Sequence, residues 1–127
     1  MISNQLSELK VPGLPLGAFP RLVAVDGPLS GRSFYLDEAV VSIGRLDSNG
    51  IHLDDPFVSR QHCLIKTTGD QYLIEDLASA NGTYVNGERI DTVALNEGFL
   101  IQIGSSRFRF RLRSPERPVT QGPDLAA

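Results

Sequence analysis

Short apolar runs, each closed by a turn signal, recur along the middle of this chain, and no window of a dozen residues keeps a helical period. That punctuation limits the fold more narrowly than any other feature. The runs are Leu22-Val23-Ala24-Val25, Ser33-Phe34-Tyr35-Leu36, Val40-Val41-Ser42-Ile43, Ile51-His52-Leu53, His62 to Lys66, Gln71 to Glu75, Thr83-Tyr84-Val85, Leu100 to Ile103 and Phe108 to Leu112. Between them stand Asp26-Gly27-Pro28, Ser48-Asn49-Gly50, Thr68-Gly69-Asp70, Asn81-Gly82, Asn86-Gly87 and Asn96-Glu97-Gly98. β-branched and aromatic residues fit a pleated, half-buried surface. Turns roughly every 8–12 residues predict an all-β antiparallel sandwich or barrel. Asn86-Gly87 is the sharpest signal: a two-residue type I′ turn needs positive φ at both central positions, which Asn and Gly tolerate best.

The 127 residues suffice for one domain with a real core, since a chain of this size buries roughly two-thirds of its unfolded surface. Pro12, Pro15 and Pro20 break any pattern in residues 1–20, and Pro115, Pro118 and Pro123 do so in 114–127. Both stretches read as flexible tails around a body at 21–113. A net charge of −3 argues against a dedicated nucleic-acid binder. The single cysteine, Cys63, excludes an internal disulfide and a cysteine metal cluster, and two histidines make no histidine-rich metal site. No cofactor motif is visible. No apolar run reaches membrane-spanning length and no signal peptide is apparent, so a cytoplasmic location is expected.

The sequence holds no nucleophile elbow, phosphate-binding P-loop or His-Glu-x-x-His pair. Asp54-Asp55 and Glu75-Asp76 read as solvated turn residues. Ser59 and His62 have hydrolase-like spacing, but no third group is placed to orient the imidazole, so His62 reads as a strand-start residue bonded to a loop. An anion site is better supported. Gly44-Arg45, Ser59-Arg60-Gln61-His62 and Ser79-Ala80-Asn81-Gly82-Thr83 bring two guanidinium groups, a hydroxyl, a carboxamide and glycine-permitted N–H groups to strand ends. Those are the donors a phosphate dianion needs, and the planar guanidinium fork suits it better than an ammonium does.

The order and spacing of these segments resemble the forkhead-associated (FHA) domain, a phosphothreonine-binding β-sandwich, over about residues 21–113. The resemblance rests on Ile43-Gly44-Arg45, Ile51-His52-Leu53-Asp54, Val58-Ser59-Arg60-Gln61-His62, Asp76 through Gly87, Leu95-Asn96-Glu97-Gly98 and Ile101-Gln102-Ile103-Gly104. It implies a two-sheet antiparallel sandwich of about eleven short strands, whose loops at one end bind phosphothreonine in an extended partner segment. It implies no catalytic residue. Arg45 and Ser59 would contact the phosphate, Arg60 the phosphate or nearby peptide backbone, and Asn81 the partner's main chain. His62 and Asn86 would tie loops together, and Gly44, Gly82 and Gly87 would permit tight backbone. A Ser/Thr kinase would supply the mark.

Ala80 departs from the family pattern, which usually has Ser or Thr there as a further phosphate contact. The missing hydroxyl removes a donor to a charged acceptor, a loss on the order of 1.5–3 kcal/mol; either Arg60 compensates for it or the site binds phosphate weakly or in an altered way. Phe57, two before Ser59, is placed to give an apolar preference at the third residue after the phosphothreonine, unless it packs onto the sheet. The alternative function is an FHA-fold scaffold that binds its partner without phosphorylation. Its surface would be the face on which Arg107, Arg109, Arg111 and Arg113 alternate with Phe108, Phe110 and Leu112, or another sheet surface. The bland reading of that face is a solvated outer surface. Cys63 reads as a small buried hydrophobe, and Asn81-Gly82-Thr83 as an accidental glycosylation match. Thr120 offers a threonine that, once phosphorylated, would bind back, with only its place in the tail to support that role.

Overall fold

The computed structural model describes residues 20–112. The expected tails, Arg113 and Thr120 lie outside that range, Pro20 excepted. Eleven strands form the body: β1 Arg21–Asp26, β2 Ser33–Tyr35, β3 Val40–Gly44, β4 Ile51–His52, β5 Cys63–Thr68, β6 Gln71–Asp76, β7 Thr83–Val85, β8 Glu88–Arg89, β9 Thr92–Ala94, β10 Leu100–Ile103 and β11 Ser106–Arg111. There is no helix among the described residues, so none is long and apolar enough to cross a membrane. Pro20, just before β1, is buried, and its carbonyl accepts the Leu36 N–H at 2.9 Å.

One sheet has the order β2-β1-β11-β10-β7-β8, the other β4-β3-β5-β6-β9. All neighbours are antiparallel except β3 and β4, which pair in parallel through Ile43↔Ile51 and Gly44↔His52. A parallel neighbour ordinarily needs a long crossover. Here the 45–50 loop closes it: Asn49 Nδ2 donates to the Leu46 carbonyl at 2.8 Å and to the Arg60 carbonyl at 2.9 Å. β9 was not legible as a run because its Thr92 is exposed and the rest only half-buried on a sheet edge.

Period-2 alternation builds the core. On β11, Ser106, Phe108 and Phe110 point inward while Arg107, Arg109 and Arg111 point outward. Register sets Phe108 beside Ala24 and Ile101, and Ile65 beside Val41 and Ile74. Tyr72 from one sheet meets Phe110 from the other at 5.5 Å between ring centroids. Burying each such side chain is worth about 1.5–3 kcal/mol. The tight hairpin forms at Asn86-Gly87, with φ of 52° and 87° joining Val85↔Glu88, and Asn86 Oδ1 also accepts the Leu100 N–H at 2.9 Å.

Candidate functional site

Three loops leave neighbouring strand ends and share one end of the sandwich: 45–50 after β3, 53–62 before β5, and 77–82 between β6 and β7. Backbone bonds fuse them. Arg45 N–H donates to the Ser59 carbonyl at 3.0 Å, His62 N–H to Ile43 at 2.9 Å, and Leu77 N–H to His62 at 2.9 Å. Gly44 makes the first junction possible, because a Cβ there would clash with the Arg60 carbonyl and stand 2.8 Å from Asn49 Nδ2.

Arg45 is exposed, and its Nε donates to the Val58 carbonyl at 2.9 Å. That bond holds the guanidinium while its two terminal nitrogens remain for a ligand. Ser59 Oγ accepts the Ala80 N–H at 3.0 Å, which leaves the hydroxyl proton to donate outward. Asn81 Nδ2 donates to the Phe57 carbonyl at 2.9 Å, which leaves Oδ1 as an acceptor for a main-chain N–H. Arg60 is exposed beside Ser59, its carbonyl already taken by Asn49 and Leu46. The four side chains singled out from sequence therefore stand on interlocked loops, each with hydrogen-bonding capacity left unused.

His62 is fully buried. Its Nδ1 accepts the Ser59 N–H at 3.0 Å, so the ring proton sits on Nε2 and is donated to the Gly82 carbonyl at 2.9 Å. Both nitrogens are engaged by backbone, and neither reaches Ser59 Oγ as a base. The third group that orients His62 is a main-chain carbonyl, invisible to a search over side chains.

The two acidic pairs need correcting. Asp55 and Asp76 are loop organisers, not solvated turn residues. Asp55 is buried and accepts the Phe57 N–H at 2.9 Å and the Ser105 N–H at 2.7 Å. Burial works to raise its pKa, but these bonds to the charged form outweigh it and hold the carboxyl below the ordinary range. Asp76 accepts from Ser79 Oγ at 2.6 Å, Ser79 N–H at 3.0 Å and Thr83 Oγ1 at 2.7 Å. There too burial is outweighed, mainly by the Ser79 and Thr83 hydroxyls, and the pKa is lowered. Ser79 Oγ in turn accepts the Gly82 N–H at 3.0 Å, closing the loop that carries Ala80 and Asn81. Their chemistry follows from which N–H groups fall nearby, and spacing alone does not show that.

Phe57 does not pack onto the sheet; it is 59% exposed. With Asn81, Gly82, Tyr84, Gln102 and Gly104 it lines a shallow groove of about 200 Å³. The arginine row is not a free cationic face. Arg107 pairs with Asp26, Arg111 Nε lies 2.9 Å from Glu97 Oε2, and Arg109 Nη1 donates to the Gly98 carbonyl at 2.9 Å. Asp26 ends β1 and Glu97 lies between β9 and β10, both distant in sequence from β11. Among the described residues no three His, Cys, Asp or Glu side chains gather as a metal site.

The architecture defines a class: a two-sheet β-sandwich presenting an anion-compatible, peptide-compatible site on the loops at one end. The FHA domain family model matches residues 41–104, and the chain belongs to that family. It is 40% identical over 112 residues to the glycogen accumulation regulator GarA of Mycobacterium tuberculosis, spanning 88% of this chain and 68% of GarA. Among solved structures, Mycobacterium tuberculosis EmbR in complex with a low affinity phosphopeptide is 37% identical, with a TM-score of 0.73, over 88% of this chain and 29% of that one. A domain from work on phosphothreonine-dependent FHA domain interactions is 36% identical, with a TM-score of 0.68, over 73% of this chain and 95% of that one.

Proposed function

We propose that this chain is a phosphothreonine-binding module, with residues 21–113 as the binding unit, that docks onto partner proteins marked by a Ser/Thr kinase and performs no catalysis itself. The observation that carries the reading is the pair of pre-set donors. Arg45 is tethered through Nε with its terminal nitrogens free, and Ser59 has its oxygen occupied and its proton free. A dianion meeting donors already held in place costs little ordering on binding. Arg60 adds a second guanidinium, and Asn81 Oδ1 takes a partner N–H to hold the segment extended. The phosphopeptide in complex with EmbR, and the phosphothreonine-dependent interactions for which the second structure was studied, agree in chemistry. The regulator name of GarA is in line with a chain that binds and does not turn over substrate.

Phe57, exposed on the groove, supports an apolar preference at the third residue after the phosphothreonine. An oriented phosphopeptide library checks it: enrichment of Asp or of basic residues there overturns it. The central test is a calorimetric titration with matched phosphorylated and unphosphorylated threonine peptides. Arg45→Ala should weaken the phosphorylated one at least tenfold, about 1.4 kcal/mol, with melting temperature little changed. Equal affinity for both peptides would favour the phosphorylation-independent scaffold. That reading has lost its best surface, because the described arginines of the β11 row are engaged by Asp26, Glu97 and Gly98.

A further inference from the structure

The phosphate reading uses Arg45 and Arg60 and leaves one cation at the loop end unexplained. Arg89, on the edge strand β8, is exposed and makes no hydrogen bond or ion pair among the described residues. Two neighbours show where it lies. Tyr84 is its cross-strand partner, and its side chain lies on Gly82: a Cβ built at Gly82 would stand 2.8 Å from Arg89 Nε and 3.1 Å from Cζ. Gly82 is buried although Asn81 beside it is exposed. Gly82 and Tyr84 both line the groove that begins at Phe57 and Asn81. Arg89 therefore borders the groove on its β8 side.

The other border differs in charge. Across the same row, Tyr84 pairs with Gln102 and Gln102 with Arg107, whose guanidinium is held by Asp26. Among the described residues no acidic side chain lines the groove, and the nearby Asp55 carboxylate behind Gly104 is buried and taken up by the Phe57 and Ser105 N–H groups. A segment lying in it thus meets an apolar wall at Phe57 and Tyr84, amides at Asn81 and Gln102, and one uncompensated positive charge at Arg89.

We infer that Arg89 is a specificity-determining residue that selects an acidic side chain, Asp or Glu, in the partner segment flanking the phosphothreonine. The inference rests on the phosphothreonine reading and extends it. The planar guanidinium fork can pair with a carboxylate through two parallel N–H donors. Charge complementarity at a groove rim acts mainly as selection between partners.

The test is a phosphothreonine peptide library in which Asp or Glu is placed in turn at each flanking position, read by fluorescence polarisation against the wild-type chain, Arg89→Gln and Arg89→Lys. The expected result is one position at which an acidic residue improves wild-type binding at least fivefold. Arg89→Gln should abolish that preference, Arg89→Lys should keep part of it, and the all-neutral phosphopeptide should bind wild type and Arg89→Gln within twofold. An unchanged acidic preference in Arg89→Gln, no preference in the wild type, or an equal loss for acidic and neutral peptides each overturns the inference while the phosphothreonine reading stands. If no phosphorylated peptide binds better than its unphosphorylated twin, both fall together.

Discussion

The Ala80 backbone N–H donates to Ser59 Oγ at 3.0 Å, joining the two loops that flank the proposed anion site. Ala80 itself is exposed, with its methyl group where the family usually carries a hydroxyl. The lost hydroxyl and the loop bond are separable, because the bond uses the main chain. Ala80→Ser should keep the 59–80 link and add a donor to the phosphate. The expected gain is about 1 kcal/mol, roughly fivefold in phosphopeptide affinity. Isothermal titration checks it, with an unphosphorylated peptide as the control that should not change. A serine variant no tighter than the parent would show that Arg60 already supplies what the hydroxyl would give.

Gly44 lies where β3 enters the 45–50 loop, against the Arg60 carbonyl and Asn49 Nδ2. A methyl group there must push the 53–62 loop away, breaking the Asn49 bonds that close the parallel β3–β4 pair. Gly44→Ala should cost about 1–3 kcal/mol in stability, measured by urea denaturation. Phosphopeptide affinity should also fall, because Arg45 and Ser59 hang from the displaced junction.

The arginine row, the hairpin at Asn86-Gly87 and the core phenylalanines of β11 were legible because each depends on local alternation or on one turn type. β9 was not, since a half-buried three-residue edge strand leaves no clear hydrophobic pattern. Arg45, Ser59, Arg60 and Asn81 could be singled out as candidates from order and spacing, but not how their loops are held. Arg45 is tethered by the Val58 carbonyl, Ser59 by the Ala80 N–H and His62 by the Gly82 carbonyl. Each of these is a side chain meeting a backbone group across loops, and backbone groups are the same at every position. Asp55 and Asp76 were misread for that reason: a carboxylate in a turn segment is usually solvated, and only the fold shows the donors converging on it.

Cys63 is fully buried at the start of β5, and burial pushes its thiol pKa up to about 12. The thiolate is the reactive species, so near pH 8 the native chain should resist alkylation by iodoacetamide. Denaturant should restore labelling within minutes at the same pH. Fast labelling of the native protein would mean that the β3–β5 pair opens readily at Ile43↔Cys63.

Asp55 joins the loop before Ser59 to the Gly104-Ser105 turn, and its pKa lies below the ordinary value near 3.8. When the folded value is the lower one, the unfolded chain binds protons first as the solution is acidified. The contribution of Asp55 is therefore complete above about pH 4–5 and is lost as the pH falls through the folded value. Asp76 acts with the same sign. Asp55→Asn offers an amide where two backbone N–H donors converge; its oxygen can serve one donor, and its NH₂ faces the other. The variant should lose about 1.5–3 kcal/mol at pH 7, and its stability should fall less steeply below pH 4 than that of the parent. Chemical denaturation from pH 2.5 to 7 checks both points. Parallel acid limbs would show that Asp55 is not a source of the pH dependence, and a parent whose stability rises on acidification would contradict the sign for both aspartates.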